Sequence, residues 1–450
     1  MIFNKNGEWY FKEKGGFKVD IRMKMSAIDD AFTEVPPAER MIVFLLQHIG
    51  AETKPLIKEG DSVRYGQMIG DYANGGLLSV PVHSPVDGII AEISKMLHPL
   101  SQKEESVVII NTKSEDKTPC FPPLDPKQAS REDLLKRTKE AGIVGLGGAA
   151  FPTHVKLSSN NISTLIINAK ESDPNVACDI RLIVEEPKEI LNGIKLMAKI
   201  LGAAKIIFAT RTKEGEIAEF ENTLKNNSID IARIRPNYSV GSERLLVKEI
   251  LKKEVPSEKY PPDMGVVIHN VATAFAVSKA INKGEPLVSR GLTFFSKKTG
   301  AQNLWVRMGT PIHHILRFIG ASPEDFERVA LGSLMMGPTI PNSSFPILKA
   351  TSGITAFTKN EINPYDDSLP CIRCAYCNTV CPVNIYPQLI MEAEKSGDAN
   401  RLRKLHVEVC IECGLCSYVC PSRINFTDYL RGGKKRIQNN KKELPINNNS

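Results

Sequence analysis

Eight of the ten cysteines fall into two copies of one pattern in the last quarter of the chain. Each copy reads Cys-x2-Cys-x2-Cys-x3-Cys-Pro, the spacing of bacterial proteins that bind two [4Fe-4S] clusters. In such proteins the first three thiolates of a copy bind one cluster and the fourth reaches the other cluster. We therefore predict one cluster on Cys371, Cys374, Cys377 and Cys420, and another on Cys381, Cys410, Cys413 and Cys416.

Zinc binding and disulfide bonding are the alternatives for these cysteines. Zinc ribbons carry two separated Cys-x2-Cys pairs, and disulfide frameworks belong to exported chains. The first residues here lack the continuous apolar segment of a signal peptide, so we expect a reducing, cytoplasmic setting. Pro382 and Pro421 are each expected to begin a helix, and Cys120 and Cys178 to be ordinary thiols.

The overall composition is that of a soluble globular protein. The 450 residues are enough for about three domains, with 42% hydrophobic and 24% charged residues. These values exclude collagen-like, disordered and disulfide-miniprotein classes. The net charge of +7 is mild, and the basic last twenty residues contain no aromatic side chain. We therefore predict a disordered tail there and no nucleic-acid binding.

Membrane-spanning segments are not expected. The longest uncharged stretch, residues 329–348, contains three prolines and so differs from the roughly 20-residue apolar helix that spans a bilayer. Residues 41–112 have short strand-like runs separated by glycine turns, as in the barrel-sandwich hybrids of biotinyl and lipoyl carriers. The hairpin of residues 73–76 offers no lysine for a cofactor, and Lys24 lies before the barrel, so Lys24 is predicted to be an ordinary exposed lysine.

A proline-rich linker at residues 113–128 leads into an α/β pattern. Ser130 and Asp133 form an N-cap signature, and residues 186–201 predict an amphipathic helix capped by Gly202. The glycine loop at residues 145–148 follows a helix and lacks the dinucleotide-binding spacing. On its own it predicts either a tight turn or a loop that binds phosphate or flavin, with Lys156 as a candidate cation.

Together, these motifs resemble the C subunit of the Rnf electron-transport complex over roughly residues 40–430. The resemblance implies a multidomain α/β plus α+β fold with a barrel-sandwich hybrid, a Rossmann-like flavin and NADH domain, a β-grasp segment and a C-terminal bacterial-ferredoxin-like two-cluster helical domain. The matching motifs are Gln47–Gly50, Pro81–Val86, Gly145–Leu157, Asn270–Thr273, Gly284–Leu287, Met335–Pro338 and the cysteine repeats.

The chain is accordingly predicted to comprise seven segments. They are an N-terminal extension (1–40), the barrel (41–112), a linker (113–128), the FMN and NADH domain (129–284), the β-grasp segment and connection (285–350), the two-cluster domain (360–430) and the disordered tail (431–450).

The resemblance also implies a function. It is that of a peripheral NADH-oxidising subunit of a membrane-bound NADH:ferredoxin oxidoreductase coupled to ion transport. The middle domain is similar to the FMN-carrying, NADH-oxidising subunit of respiratory complex I. FMN matches the two electrons of NADH to clusters that take one at a time. The implied partners are other complex subunits and ferredoxin or a cluster-bearing subunit, at the cytoplasmic face of the membrane.

Site residues follow from the same resemblance. Three acidic residues are assigned to catalysis, with Glu171 and Asp173 toward the nicotinamide nucleotide together with Phe151, and Glu243 at the flavin. The other residues assigned to the flavin are Gly145, Gly147, Gly148, Lys156, Asn168, Gly241, Asn270 and Thr273.

Four motifs depart from the family pattern where flavin would bind: Ala150 and Ser242 each replace glycine, Ser172 and Asp173 replace cysteine and glutamate, and His269 replaces asparagine. An iron–sulfur conduit without functional flavin is therefore an alternative. A soluble flavoprotein resembling cobalamin reductase is another, although its barrel segment follows the clusters. The sequence leaves open the coupling ion, the direction of electron flow and the reduction potentials.

Overall fold

The structure is a computed structural model, and it describes residues 2–3, 9–10, 30–72, 78–99, 101, 103–114, 118, 120–173, 175–211, 217–235, 237–332, 334–340, 342–362 and 368–443. Lys24 and the hairpin at residues 73–76 lie outside these described residues. The chain divides into two compact units. The larger unit holds the described residues of 20–234 and 261–362, and the cysteine unit holds those of 1–19, 235–260 and 363–450.

The strands are named in chain order. They are β1 Ile2–Phe3, β2 Trp9–Tyr10, β3 Thr33–Glu34, β4 Arg40–Phe44, β5 Thr53–Pro55, β6 Ser62–Val63, β7 Met68–Tyr72, β8 Val82–His83, β9 Asp87–Leu97, β10 Glu104–Ser114, β11 Thr164–Ala169, β12 Lys205–Thr210, β13 Asp230–Arg233, β14 Val266–Asn270, β15 Ser289–Ser296, β16 Gly300–Arg307, β17 Arg328–Leu331, β18 Thr339–Ile340 and β19 Gly353–Phe357.

The α-helices are named in the same way. They are α1 Arg131–Glu140, α2 Thr153–Leu157, α3 Cys178–Glu185, α4 Pro187–Leu201, α5 Ala218–Asn226, α6 Glu243–Leu251, α7 Val271–Asn282, α8 Ile312–Phe318, α9 Tyr376–Val380, α10 Pro387–Lys395, α11 Ala399–Lys404, α12 Leu415–Tyr418 and α13 Phe426–Glu443.

Two small antiparallel sheets form the first part of the larger unit. Their strand orders are β4-β10-β9-β6 and β5-β7-β8. Both sheets contribute to one core, in which Met41, Ile69 and Val108 are fully buried. The predicted linker that follows is anchored rather than loose, because the backbone N–H groups of Phe121 and Leu124 donate to Gly284 and Ile281.

A four-stranded parallel sheet follows, with strand order β13-β12-β11-β14. The predicted capping box of Ser130 and Asp133 is present in α1. The predicted amphipathic helix is α4, whose Ile190, Ile194 and Met197 are fully buried. It packs against α7 so closely that a side chain at Gly193 would overlap the Ala274 carbonyl. The parallel strands end together, with Asn168 paired in register with Asn270.

A six-stranded mixed sheet completes the larger unit, in the order β18-β17-β19-β15-β16-β3. Two of its strands lie outside the predicted segment 285–350. β19 lies between β15 and β17 and buries Ile354 and Ala356. β3 comes from the predicted N-terminal extension and pairs with β16 at the sheet edge. Segment boundaries drawn from local sequence miss both strands because their partners are distant in the chain.

The cysteine unit repeats one backbone conformation 39 residues apart. Arg373 and Glu412 have φ of 53° and 54°, and Asn384 and Arg423 have φ of 56° and 54°. The prediction that Pro382 and Pro421 begin helices is wrong. Both prolines lie in turns, and α10 and α13 begin only at Pro387 and Phe426, because the left-handed residue in each turn interrupts the helical path.

Two segment assignments change in this unit. The predicted α/β domain, 129–284, is divided, because residues 235–260 belong to the cysteine unit. The predicted disordered tail is helical as far as Glu443. Arg436 pairs with both oxygens of Glu394 at 2.9 and 2.8 Å, and Ile437 is buried, so this part of the tail packs instead of being solvated.

Candidate functional site: two cysteine sites and a glycine loop

Four of the predicted cluster ligands surround one cavity of about 270 Å³ in the cysteine unit. This open cysteine site consists of Cys371, Cys374, Cys377 and Cys420. Cys374 is exposed, and residues 372–376 are exposed as a run. The arrangement brings the fourth cysteine of the second repeat to the first three of the first repeat, which is the grouping predicted for one cluster.

The other four cysteines line a separate and much smaller cavity of about 20 Å³. This enclosed cysteine site consists of Cys381, Cys410, Cys413 and Cys416. Cys416 is buried and the other three are half-buried. The Glu412 N–H donates to the Cys410 sulfur at 3.3 Å, which is the kind of hydrogen bond that tunes a thiolate ligand. The two sites therefore share spacing and differ in exposure.

One thiol of the open site and all four of the enclosed site have raised pKa values. Burial raises the pKa of Cys377 to about 11 and that of Cys413 to about 12, and neighbouring cysteines add to each shift. Four thiols that line one cavity fit a cation that replaces their protons, because thiolate is the form that binds metal. The residues present therefore fit iron–sulfur ligation.

The glycine loop of the larger unit lies against the junction of β14 and α7. Thr273, on the first turn of α7, is fully buried and accepts a 2.9 Å hydrogen bond from the Leu146 N–H. Gly147 lies against Asn270, where an added Cβ would come within 3.3 Å of the Asn270 Cβ. Gly148 has φ of +107° and faces open space, so bare backbone is exposed beside a helix N terminus. Such a surface fits an anionic or flat ligand.

Two further predicted flavin residues lie at the edge of the parallel sheet. Asn270 accepts from the Ala272 N–H as the N-cap of α7 and donates to Asp179 at 2.6 Å. Asn168, at the end of β11, accepts from the Lys170 N–H at 3.0 Å. The sheet register therefore brings the two asparagines together, as the predicted site requires.

Lys156 and His269 adjoin this edge. The Lys156 ammonium donates to the Ile268 carbonyl at 2.8 Å. His269 is buried, and burial followed by the charge of Lys156 holds its pKa well below the usual value. His269 is therefore neutral, and among the described residues its Nε2 has no hydrogen-bond partner.

The carboxylates predicted to face the nicotinamide nucleotide have structural partners. Glu171 is buried and accepts from the Asp179 N–H at 3.0 Å, so it caps the N-terminal end of α3. Asp173 accepts from the Leu334 N–H at 3.2 Å. Phe151 is half-buried, and its carbonyl accepts from the Gly145 N–H, which closes the glycine loop.

Gly241 and Glu243 belong to the cysteine unit. Gly241 ends the 3-10 helix Tyr238–Gly241, and Glu243 is in the first turn of α6. Ser242 stands where the family has glycine. Its backbone is extended, with φ of −70°, a conformation that any residue adopts. Ala150, at another such position, has a left-handed φ of 48°, where glycine is favoured by about 1–2 kcal/mol.

Sequence reasoning missed three buried residues that support the loop. The Arg290 guanidinium donates to the Leu146 carbonyl at 3.3 Å and to the Lys349 carbonyl. The Lys349 ammonium donates to the Gly142 and Pro81 carbonyls at 2.7 and 3.2 Å, and burial lowers its pKa to about 7. The third is Asp179, the partner of Asn270. The one signal in the sequence that could have identified these three residues is a charged side chain within an otherwise apolar stretch.

A cavity of about 390 Å³ lies beside this site, between α7 and the strands β15 and β16. Leu146, Phe275 and Trp305 are among the residues that line it, and none of the predicted flavin or nucleotide residues does. Trp305 packs edge-on against Phe32 and Phe275, with ring centroids 5.6 and 5.7 Å away. Trp305 therefore has a packing role in this part of the core.

Three parts of the chain match protein families. Residues 11–114 match the RnfC barrel sandwich hybrid domain, residues 138–279 the Nuo51 FMN-binding domain and residues 363–421 a 4Fe-4S dicluster domain. A flavin domain followed by a two-cluster domain defines an NADH-linked electron-transfer protein with FMN and [4Fe-4S] clusters as cofactors and NADH as substrate.

Relatives that match most of the chain identify its family more specifically than the domain matches do. The chain is 37% identical over 370 residues to the C subunit of the ion-translocating oxidoreductase complex of Rhodobacter capsulatus, covering 80% of this chain and 71% of that protein. It is 35% identical over 395 residues to the C subunit of the same kind of complex from Serratia proteamaculans, covering 86% of this chain and about half, 55%, of that protein. The chain belongs to the family of C subunits of Rnf ion-translocating oxidoreductase complexes.

Solved structures show the fold. A chain of an NAD+-reducing [NiFe]-hydrogenase in the air-oxidized state superimposes with a TM-score of 0.51 at 19% identity, over 69% of this chain and 63% of the hydrogenase chain. The multidomain mixture of a barrel-sandwich hybrid, an FMN-binding domain and a dicluster domain is confirmed. Within the part of the chain that the structure describes, no helix is long and apolar enough to cross a membrane.

Proposed function

We propose that this chain is the peripheral NADH-oxidising subunit of a membrane-bound Rnf-type NADH:ferredoxin oxidoreductase coupled to ion transport. It acts at the cytoplasmic face of the membrane and is held there by other subunits. One observation carries the proposal: a glycine loop braced by Thr273 and two four-cysteine sites occur in one chain. Relatives named as subunits of ion-translocating oxidoreductase complexes support the assembly.

The parallel sheet and its helices form a Rossmann-like domain in this proposal. Their strand order places the ends of β11 and β14 side by side, where ligands bind in open α/β sheets. We assign the mixed sheet with α8 to the β-grasp segment.

The larger unit would hold FMN at the glycine loop. Bound there, FMN would supply the conversion between the two-electron hydride of NADH and single electrons. Gly145, Gly147 and Gly148 of the loop would hold it through backbone, together with Asn168, Asn270 and Lys156 at the adjoining sheet edge. Thr273 and Arg290 fix the loop through the two backbone groups of Leu146, so that the loop is positioned before the ligand arrives.

Three further assigned residues act around this loop. Phe151 closes it, and Glu171 and Asp173 order the adjoining backbone beside the nucleotide through their N–H partners. We assign Gly241 and Glu243 of the cysteine unit to the flavin side by family position. The open and enclosed cysteine sites would each hold one cluster, and the clusters would supply one-electron transfer toward ferredoxin or a cluster-bearing subunit.

The proposal is tested by FMN binding to Thr273→Val. Valine keeps the shape of threonine and removes the acceptor for the Leu146 N–H, so we expect the FMN dissociation constant to rise at least about tenfold. Cluster content should remain unchanged. Thr223→Val is the matched control, because the Thr223 hydroxyl bonds to the Glu219 carbonyl within α5. Equal FMN affinity in both variants would contradict the assigned site.

One observation favours the conduit without flavin. Ala150 is left-handed where the family has glycine, and it is buried beside the loop, with its carbonyl accepting from the Ile49 N–H at 3.1 Å. Ala150→Gly should then restore or strengthen FMN binding. If the wild-type chain binds no FMN and Ala150→Gly does, the conduit function replaces the NADH-oxidising one.

A further inference from the structure

The barrel carries none of the residues assigned to FMN or to the clusters, yet it contacts the chain on both sides of the glycine loop. On one side, the Ile49 N–H donates to the Ala150 carbonyl at 3.1 Å. On the other side, Pro81 and Gly142 approach so closely that a Cβ at Gly142 would lie 2.5 Å from the Pro81 carbonyl oxygen. Both contacts come from the two barrel motifs that carry the family resemblance and that have no other role in the proposed function.

Lys349 joins the barrel to the flavin domain. Its side-chain nitrogen donates to the Gly142 carbonyl at 2.7 Å and to the Pro81 carbonyl at 3.2 Å, and the residue is only 1% exposed. Its backbone N–H donates to the Gln47 side chain at 3.1 Å, and its carbonyl accepts from Arg290, which also supports the glycine loop. One buried residue therefore bonds to both barrel motifs, to the segment before the glycine loop and to the arginine that supports the loop.

Burial controls the charge of Lys349. It lowers the pKa of Lys349 to about 7, and among the described residues no carboxylate offsets this effect. The titratable and charged groups that face Lys349 are His48 and His83 from the barrel and Arg290 from β15. Burial, followed by the charge of Lys349, lowers the pKa of His48 to about 4 and that of His83 to about 3. Both histidines are therefore neutral at pH 7.

The neutral amine is the form of Lys349 that matches its acceptors. An amine has two N–H groups, and the carbonyls of Pro81 and Gly142 accept one each. An ammonium has three N–H groups, and the third would have no acceptor within the part of the chain that the structure describes. Because a buried donor without a partner is costly, the contact between the barrel and the flavin domain favours the amine.

We propose that the barrel is a clamp that holds the glycine loop from both sides in its FMN-binding arrangement, with Lys349 as the positioning residue. We name Ile49, Pro81 and Lys349 the loop clamp. The inference rests on the proposed function, and it adds a role for the barrel and the residues that position the flavin loop. A loop that is held on both sides keeps its backbone groups in place before the ligand arrives, so binding costs less conformational entropy.

The loop clamp should tighten as the pH rises. In the closed clamp Lys349 loses its proton near pH 7, whereas a hydrated Lys349 in an opened clamp keeps its ordinary pKa of 10.5. The buried ammonium therefore opposes closure below pH 7. This penalty decreases about tenfold for each pH unit between about 7 and 10.5, because the open form binds more protons there. His48 and His83 are already neutral in this range.

Hydrogen exchange of the loop amides tests this in the full-length wild-type chain with its clusters assembled and no FMN added. The Gly145 and Ala150 N–H groups close the loop by donating to the Phe151 and Gly145 carbonyls. After correction for the intrinsic exchange rate, we expect their protection to increase about tenfold between pH 7 and pH 8. In Lys349→Met their protection should be below that of the wild-type chain at pH 8 and should not change with pH.

FMN affinity connects the loop clamp to the flavin site. Lys349→Met removes both carbonyl bonds at nearly constant side-chain length, so we expect the FMN dissociation constant at pH 8 to rise at least about tenfold with iron content unchanged. Lys199→Met is the matched control, because the exposed Lys199 also donates to two carbonyls, those of Pro126 and Ala129 before α1. The control should stay within about twofold of the wild-type affinity.

Loop protection that is the same at pH 7 and pH 8 in the wild-type chain would overturn the proposal, as would equal changes in Lys349→Met and Lys199→Met. The wild-type profile decides the matter even if Lys349→Met fails to fold. A wild-type chain that shows the rise in protection but binds no FMN would sink the proposed function, while the barrel would still hold the loop. A chain that binds FMN with pH-independent protection would sink the loop clamp alone.

Discussion

The open and enclosed cysteine sites have the same cysteine spacing, and their loops have left-handed residues at matching positions. The surroundings of the two sites nevertheless differ. In the enclosed site, Leu415 and Cys416 are buried and α13 holds Glu412. In the open site, Cys374 and the residues around it are exposed. Because solvent exposure and hydrogen bonds to sulfur set cluster potential and durability, two clusters with identical spacing should behave differently here.

The largest effect is expected from removing one cysteine in each site. Cys416→Ser should lose one cluster and unfold much of the cysteine unit, because Cys416 packs in the same core as Phe426 and Leu430. Cys374→Ser should also fall from about eight to about four irons while the unit stays folded. Iron per chain and thermal unfolding by circular dichroism measure both effects. Cys120→Ser is the control that keeps all irons, and equal thermal stability of the two site variants would contradict the difference.

The second effect concerns how fast iron is lost. With a ferrous chelator under mild oxidation, we expect iron release in two phases, the open site at least about tenfold faster because reagents reach Cys374 directly. Cys374→Ser should lack the fast phase. A single phase for the wild-type chain would show that the exposure difference has no consequence for the clusters.

The third effect is on thiol reactivity in the iron-free chain. Burial raises the pKa of Cys413 to about 12 and raises that of Cys416 further from the ordinary value. Only the thiolate is alkylated, so at pH 8 these two should react at least about tenfold more slowly than the exposed Cys374, and their rates should climb as the pH rises toward 12. Mass spectrometry of iodoacetamide-treated protein gives the order, and preferential labelling of Cys416 would be the opposite of this expectation.

The smallest effect is on the helix that covers the enclosed site. Lys434→Met should lower the free energy of unfolding by about 1 kcal/mol, because it removes a bond to Glu412 and one to the Cys410 carbonyl. Lys435→Met, an exposed neighbour, is the control. Denaturant unfolding of the iron-free chain measures the difference in stability between the two variants. Equal unfolding midpoints would mean that the contacts of Lys434 do not stabilise the packing of α13 on the enclosed site.

The same pair has a pH dependence. Burial pushes the pKa of Glu412 up, but the hydrogen bond and charge of Lys434, with those of Arg431, bring it below the ordinary value. A carboxyl with a depressed folded pKa contributes stability above its ordinary pKa of about 4.5, and that contribution disappears as the pH falls through the folded value. Lys434→Met should therefore lose less stability than the wild-type chain on acidification.

Local sequence was sufficient for part of this structure. The cap at Ser130 and the apolar face of α4 follow from short spacings and are confirmed. The cysteine spacing also predicted which thiols share a cavity. The predicted helix starts at Pro382 and Pro421 were wrong because a left-handed residue two positions after each proline turns the chain before a helix can begin.

Features that depend on distant residues could not be predicted. Arg290 supports Leu146 from 144 residues away, and Lys349 binds Gly142 from 207 residues away. Residues 431–443 of helix α13 were expected to be disordered because their charges look solvated until Glu394 and Glu412 are placed opposite them. The exposure of the open site likewise depends on which loop α13 covers.

The central claim is that one chain takes electrons in pairs from NADH and releases them singly through two clusters. It is tested most directly by measuring iron, sulfide and FMN in anaerobically assembled full-length protein and then adding NADH. We predict about eight irons, about one FMN and bleaching of the visible spectrum by NADH alone. Eight irons without FMN, even after incubation with excess flavin, and bleaching only by dithionite would contradict the claim.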